Sequence, residues 1–151
     1  MKSIILTGLI LFSVNPLFGQ NRISFRDGNE IMTFWSDTTE ACDKEVIFTI
    51  VESMPTYKGG FDELQDDLNN AISLDKSVQG ESAIWFVINC NGKAYGFQVI
   101  RSVDKIVEIQ LINELKLNQG WVAGKHRGNS IDCDQMLRVR FKKGKIRVLN
   151  K

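Results

Sequence analysis

With 151 residues, 43% hydrophobic and 25% charged, the chain has the size and make-up of one ordinary globular domain, with no room for a second enzyme-sized unit. The formal charge of +1 drops to about zero once a segment containing Lys2 is removed, so no global field favours nucleic acid or an anionic membrane. Any such role needs a local patch.

Met1-Lys2-Ser3 is a short basic start, Ile4 to Val14 is almost unbroken apolar sequence, and Asn15-Pro16-Leu17-Phe18-Gly19-Gln20 breaks the run. This is the layout of a secretory signal peptide, with removal of residues 1–19 expected. Roughly 11 apolar residues fall short of the ~20 that a bilayer-spanning helix needs. No cysteine follows the run for lipid attachment, so the mature chain is expected in the periplasm or secreted, without stable membrane insertion.

Residues 20–45 form an N-terminal arm or hairpin. Arg22-Ile23-Ser24-Phe25 and Glu30-Ile31-Met32-Thr33-Phe34-Trp35 flank Arg26-Asp27-Gly28-Asn29, where Asp-Gly favours a tight turn. Phe34 and Trp35 are too apolar for a free linker, which places the arm on the surface of the domain at 46–151. Glu45 to Val51, rich in β-branched residues, predicts a strand that Pro55 stops.

After Gly59-Gly60, Phe61, Leu64, Leu68, Ala71 and Ile72 recur at three and four, the period of a helix whose polar side carries Asp62, Asp66, Asp67 and Asn69. Without a cluster of partners, Asp66-Asp67 reads as a solvated face rather than a general acid–base pair. Ala83 to Ile88 is continuously apolar, as suits the centre of a sheet. Asn91-Gly92 matches a type I′ hairpin turn, and Ala94 to Arg101 returns with Tyr95, Phe97 and Val99 on one face. Asp104 to Leu117 lacks proline and glycine and repeats Val107, Leu111 and Leu115, a second helix.

Leu137, Val139 and Phe141 alternate with Arg138, Arg140 and Lys142, a half-buried strand with a basic outer face. Gly144 turns it into a short closing strand from Ile146 to Leu149. The whole order gives an α+β fold, an antiparallel sheet with two helices packed on one face. The helical crossover leaves the strand at 135–142 parallel to residues 94–101 across the centre.

No catalytic device emerges. The sole histidine, His126, sits in the polar run Gly124-Lys125-His126-Arg127-Gly128-Asn129, between two cations that do not orient it as a base. Gly59-Gly60 lacks the remaining residues of a phosphate loop. Trp85, in the most apolar strand, is expected in the core, and Trp121 either packs on the second helix or stays partly exposed. Cys42, Cys90 and Cys133 are an odd set without paired knuckles, so one disulfide and one thiol are expected, with no metal and no cofactor. Cys90 ends the central strand and Cys133 precedes its antiparallel neighbour, so these two are expected to pair.

One ordered set of pieces is more specific. Val51-Glu52-Ser53-Met54-Pro55-Thr56-Tyr57-Lys58-Gly59-Gly60, then Gly80 to Cys90, Asn91-Gly92-Lys93, Trp121-Val122-Ala123-Gly124 and Leu137 to Phe141 together resemble the TonB-type C-terminal domain. Two rigid prolines of the family pattern are missing, one within Ala71 to Ser77 and one at Ala123. The resemblance implies a TonB C-terminal-like fold and a non-enzymatic periplasmic module that contacts an envelope or outer-membrane transporter through an extended peptide. Aromatic residues do not interleave the cations Arg138, Arg140 and Lys142, so no nucleic-acid partner is expected. A structural or envelope-associated scaffold, with contacts through the arm, is the alternative. The peptide is expected to add to the strand Met136, Leu137, Arg138, Val139, Arg140 and Phe141, taken as an edge whose outward cations favour an acidic or polar sequence.

Overall fold

The computed structural model describes residues 22–27, 30–35, 40–43 and 46–150. The expected signal peptide and the turn at Gly28-Asn29 lie outside the described residues. The elements in chain order are β1 (Arg22–Asp27), β2 (Glu30–Trp35), β3 (Thr56–Tyr57), α1 (Gly60–Ala71), β4 (Gly80–Ile88), β5 (Ala94–Arg101), α2 (Lys105–Leu117), β6 (Trp121–Val122), β7 (Gly124–His126), β8 (Asn129–Ile131), β9 (Cys133–Lys142) and β10 (Lys145–Val148).

Local chemistry starts and stops the helices. Gly59 precedes α1 with φ +84°, where a Cβ would lie 2.9 Å from that of Glu63, so only glycine fits. Asp104 caps α2 by accepting from the amides of Ile106 and Val107, both at 3.0 Å. Glu108 is fully buried in the same helix, and its carboxylate takes up the Ser102 hydroxyl at 2.5 Å and the Val103 amide at 2.6 Å. An acid at an apolar position is thus used to fasten the β5–α2 turn.

The main sheet runs β10-β9-β4-β5-β1-β2. β9 and β5 are each antiparallel to β4, so they are parallel to one another across it, as the crossover predicted. The arm supplies an antiparallel hairpin, β1 and β2, which extends the sheet through a parallel pairing of Phe25 with Val99. Alternation turns Ile84, Phe86, Ile88, Phe97, Val99, Leu137, Val139 and Phe141 to one face, where Leu64 and Leu68 of α1 and Leu111 and Leu115 of α2 complete a single core. Phe86 and Phe97 stack with centroids 5.2 Å apart.

Local irregularities depart from expectation. The Asn91-Gly92 hairpin is not a two-residue type I′ turn: Gly92 donates to the Asn89 carbonyl at 2.9 Å, and neither Cys90 nor Asn91 has positive φ. The Asn89 side chain accepts from Asn91 and Lys93 amides, both at 2.9 Å, which favours a longer loop. Two-residue turns with both φ positive occur instead at Arg127-Gly128 and Lys143-Gly144. The run after Glu45 is not a strand; Phe48 makes an isolated parallel bridge to Cys133 and Ser53 an antiparallel one to Lys125. Trp85 is not in the core, because the period of two turns it to the face opposite Ile84 and Phe86, half-buried.

Candidate functional site

The motif pieces singled out in the sequence meet in space. β3 pairs with β6, setting Tyr57 opposite Trp121, and Lys58 donates to the Gly120 carbonyl at 2.7 Å. The Tyr57 and Trp121 rings meet edge-on at 5.1 Å, and Trp121 meets Phe86 at 5.4 Å. Gly120 is glycine because a Cβ there would lie 2.5 Å from the Tyr57 ring, and at Gly92 a Cβ would lie 2.4 Å from the Trp121 carbonyl oxygen. The Tyr57 hydroxyl donates to Asp67 at 2.5 Å, and burial followed by that carboxylate raises its pKa. Trp121 is therefore a buried packing residue, and Asp67 a partner of Tyr57.

The cysteine pairing differs from expectation. Cys42 is bonded to Cys90, with Cα atoms 6.0 Å apart, and Cys133 is the free, buried thiol. Cys133 lies opposite Ile88, short of Cys90, with its Cβ against Gly124. The arm instead passes the β4–β5 loop, where the Asn89 amide donates to the Glu40 carbonyl and Lys93 pairs with Glu40 at 3.3 Å, bringing Cys42 to Cys90. Asp132, 1% exposed, secures the junction: its carboxylate accepts from the amides of Cys42 and Cys90 and from the Tyr95 hydroxyl, each at 2.9 Å. Cys42, Cys90 and Asp132 offer ligand atoms within 4.8 Å of one another, but the sulfurs are joined and both carboxylate oxygens already accept hydrogen bonds. The trio is a covalent clamp.

The strand Met136 to Phe141 is not an edge. β10 pairs with it, setting Val148 opposite Val139 and Ile146 opposite Phe141. Past β10, Leu149 donates to the Arg138 carbonyl and the Asn150 side chain accepts from the Arg138 amide, both at 2.8 Å. The outer side of β10 is itself capped by α1: Asn69 accepts from the Ile146 amide at 2.9 Å and donates to its carbonyl at 2.7 Å, while Gln65 accepts from the Val148 amide at 3.1 Å. Two amide side chains stand in for a missing strand, which blunts the edge against association. The alternating pattern of β9 was legible; which groups would cover its rim was not.

Arg138 and Arg140 lie instead on the open face, away from both helices, beside a residue the sequence did not single out. Glu81, opposite Arg140, accepts from the Arg140 Nε at 2.9 Å and lies 3.7 Å from Arg138 Nη2 and 3.9 Å from Arg101 Nη1. The hydrogen bond from Arg140 lowers the Glu81 pKa, helped by the charges of all three arginines. Simple alternation would turn Arg101 inward with Phe97 and Val99. A bulge prevents this: Ile84 pairs with Val99 but Ala83 pairs with Arg101, so Ile100 is the extra residue and Arg101 joins the outer face. On the same face the Trp85 indole donates to Asp134 at 3.2 Å.

His126 ends β7 with Nδ1 4.0 Å from Glu52 and its ring 5.6 Å from that of Phe48, and this buried nitrogen makes no hydrogen bond among the described residues. Burial, then the charge of Asp134, pushes the Cys133 thiol up to about 11, the wrong direction for a reactive cysteine. Among the described residues no helix is long and apolar enough to cross a membrane. Comparison with protein-family models, with curated proteins and with solved structures gave no match to this chain.

Proposed function

We propose that this chain is a non-enzymatic, exported protein-binding module of the TonB C-terminal kind, associated in the periplasm with an envelope or outer-membrane transporter. The observation that carries the reading is the convergence of the family-like stretches: Tyr57, Gly92 and Trp121, scattered in sequence, close on one another around the β3–β6 pair. The α+β architecture with both helices against one sheet face is compatible with it. The groups nearest to catalytic ones, His126 and Cys133, are poorly disposed for catalysis.

A second reading is favoured by one observation. With β10 capped by Asn69 and Gln65, β2 is the last strand at the other end of the sheet among the described residues. An extended peptide pairing through its main chain would then add to the arm, and the domain would serve as a scaffold. Affinity capture from an envelope extract with the whole mature chain separates the two. An enriched outer-membrane transporter supports the module; a partner competed away by a peptide of residues 21–43 supports the scaffold. Recovery no better than from a bare matrix defeats both.

A further inference from the structure

We infer that the open face of the sheet, centred on Ala83 and framed by Arg101, Arg138 and Arg140, docks a carboxylate-rich segment of a partner protein. The inference rests on the protein-binding reading for the kind of partner, and on the face itself for the chemistry.

Four strands contribute. Arg101 from β5 and Arg138 from β9 flank the small side chain of Ala83, with which both are in register. One row along, Arg147 of β10 lies opposite Arg140, which lies opposite Glu81, and beyond them Lys145 lies opposite Lys142. All six cations are exposed. The chain as a whole is almost neutral, at +1, and the first turn of α1 on the other side carries Asp62 and Glu63, so the field of this face is local.

The arrangement is poor for stability. Like charges directly opposite each other on neighbouring strands are destabilising, and this face has two such pairs, Arg147 with Arg140 and Lys145 with Lys142. Glu81 is the carboxylate set among the arginines, and it serves three of them while leaving most of their N–H donors open. Glu81 hydrogen-bonds the Arg140 guanidinium and draws those of Arg101 and Arg138 beside it, so the face presents clustered forks that suit bidentate carboxylates. The bulge at Ile100 adds a third arginine that regular alternation would have withheld.

A lipid surface fits less well. Docking on a bilayer uses apolar side chains that enter it. Here Ile100 and Met136 are exposed singly, and Trp85 is half-buried and tied to Asp134. Nor do aromatic side chains interleave the arginines as a stacking platform for single-stranded nucleic acid requires.

The test is a titration of the isotopically labelled mature protein, followed by amide NMR shifts, with a ten-residue peptide alternating Glu and Ser. The same measurement uses a Lys–Ser peptide and phosphatidylglycerol vesicles. The Glu–Ser peptide should shift Glu81, Ala83, Arg101, Arg138 and Arg140, and its Kd should rise with salt. Replacing Arg101 and Arg138 by Ala should weaken it by up to about fivefold per arginine, the scale of an exposed ion pair. No shift at this face, equal shifts with the Lys–Ser peptide, or binding of the vesicles but not the peptide would each overturn the inference. The unmodified protein supplies these readouts even if the double variant folds poorly. Peptide binding here with no transporter captured from the envelope defeats the transporter association alone; capture without peptide binding here defeats this face alone.

Discussion

Replacing Asp132 by Ala probes the clamp on which the arm depends. The carboxylate is 1% exposed and accepts three hydrogen bonds, so its removal strands the amides of Cys42 and Cys90 and the hydroxyl of Tyr95. A buried donor left without an acceptor costs about 1–3 kcal/mol. The three are not equal: Cys42 is exposed and its amide can turn to water, whereas Tyr95 is 5% exposed and cannot. The loss is then dominated by Tyr95 and the half-buried Cys90, and should come to about 2–5 kcal/mol, a large part of the ~5–15 kcal/mol that holds a domain together. Urea unfolding monitored by tryptophan fluorescence, with unchanged m-value, measures it. Tyr95→Phe closes a double-mutant cycle, in which the two losses should be clearly non-additive. If Asp132→Ala, with its disulfide intact, lies within about 0.5 kcal/mol of the parent, the range of an ordinary surface substitution, the clamp does not act as argued.

Other outcomes follow from the same contacts. Replacing both Cys42 and Cys90 by Ser opens a loop with a sequence separation of 48, for which chain entropy gives a loss of about 4 kcal/mol; non-reducing peptide mapping of the parent should show the Cys42–Cys90 link and an unpaired Cys133. Asn69→Ala frees both main-chain groups of Ile146 at the sheet edge, so it should lower stability by about 1–3 kcal/mol and promote concentration-dependent association in sedimentation. Alkaline pH should destabilise the fold, because burial and neighbouring carboxylates raise the pKa values of Tyr57, Tyr95 and Cys133. The folded chain keeps protons that the unfolded chain releases, so stability is fully present below the unfolded values. For Cys133 it is lost from an ordinary value of 9.0 up to about 11, and thermal midpoints taken across that window should fall; a flat profile would contradict the burial of these groups.

The sequence spoke most clearly where periodicity and burial coincide. Leu64 and Leu68 in α1, Leu111 and Leu115 in α2, and Leu137, Val139 and Phe141 in β9 each turned to the core as their spacing required. Long-range choices were less legible. Nothing local says that Asn69 and Gln65, polar residues of α1, cap a strand far along the chain, or that Cys42 reaches Cys90 before Cys133 can. The open face depended on a single extra residue at Ile100, since without that bulge Arg101 belongs to the core side. Trp85 shows the same limit from the other direction: a continuously apolar strand leaves its two faces indistinguishable until one is covered by helices.

The most direct test of a binding role uses photo-crosslinking from inside the cell envelope. Met136 and Ile100 are exposed on the open face, so each is replaced in turn by p-benzoylphenylalanine, with the exposed Asn70 of α1 replaced as a reference on the helical side. The binding role requires that Met136 and Ile100 capture one outer-membrane protein, identified by mass spectrometry, and that Asn70 does not. Adducts only from Asn70, or none from any position in cells where the protein is folded and exported, would contradict it.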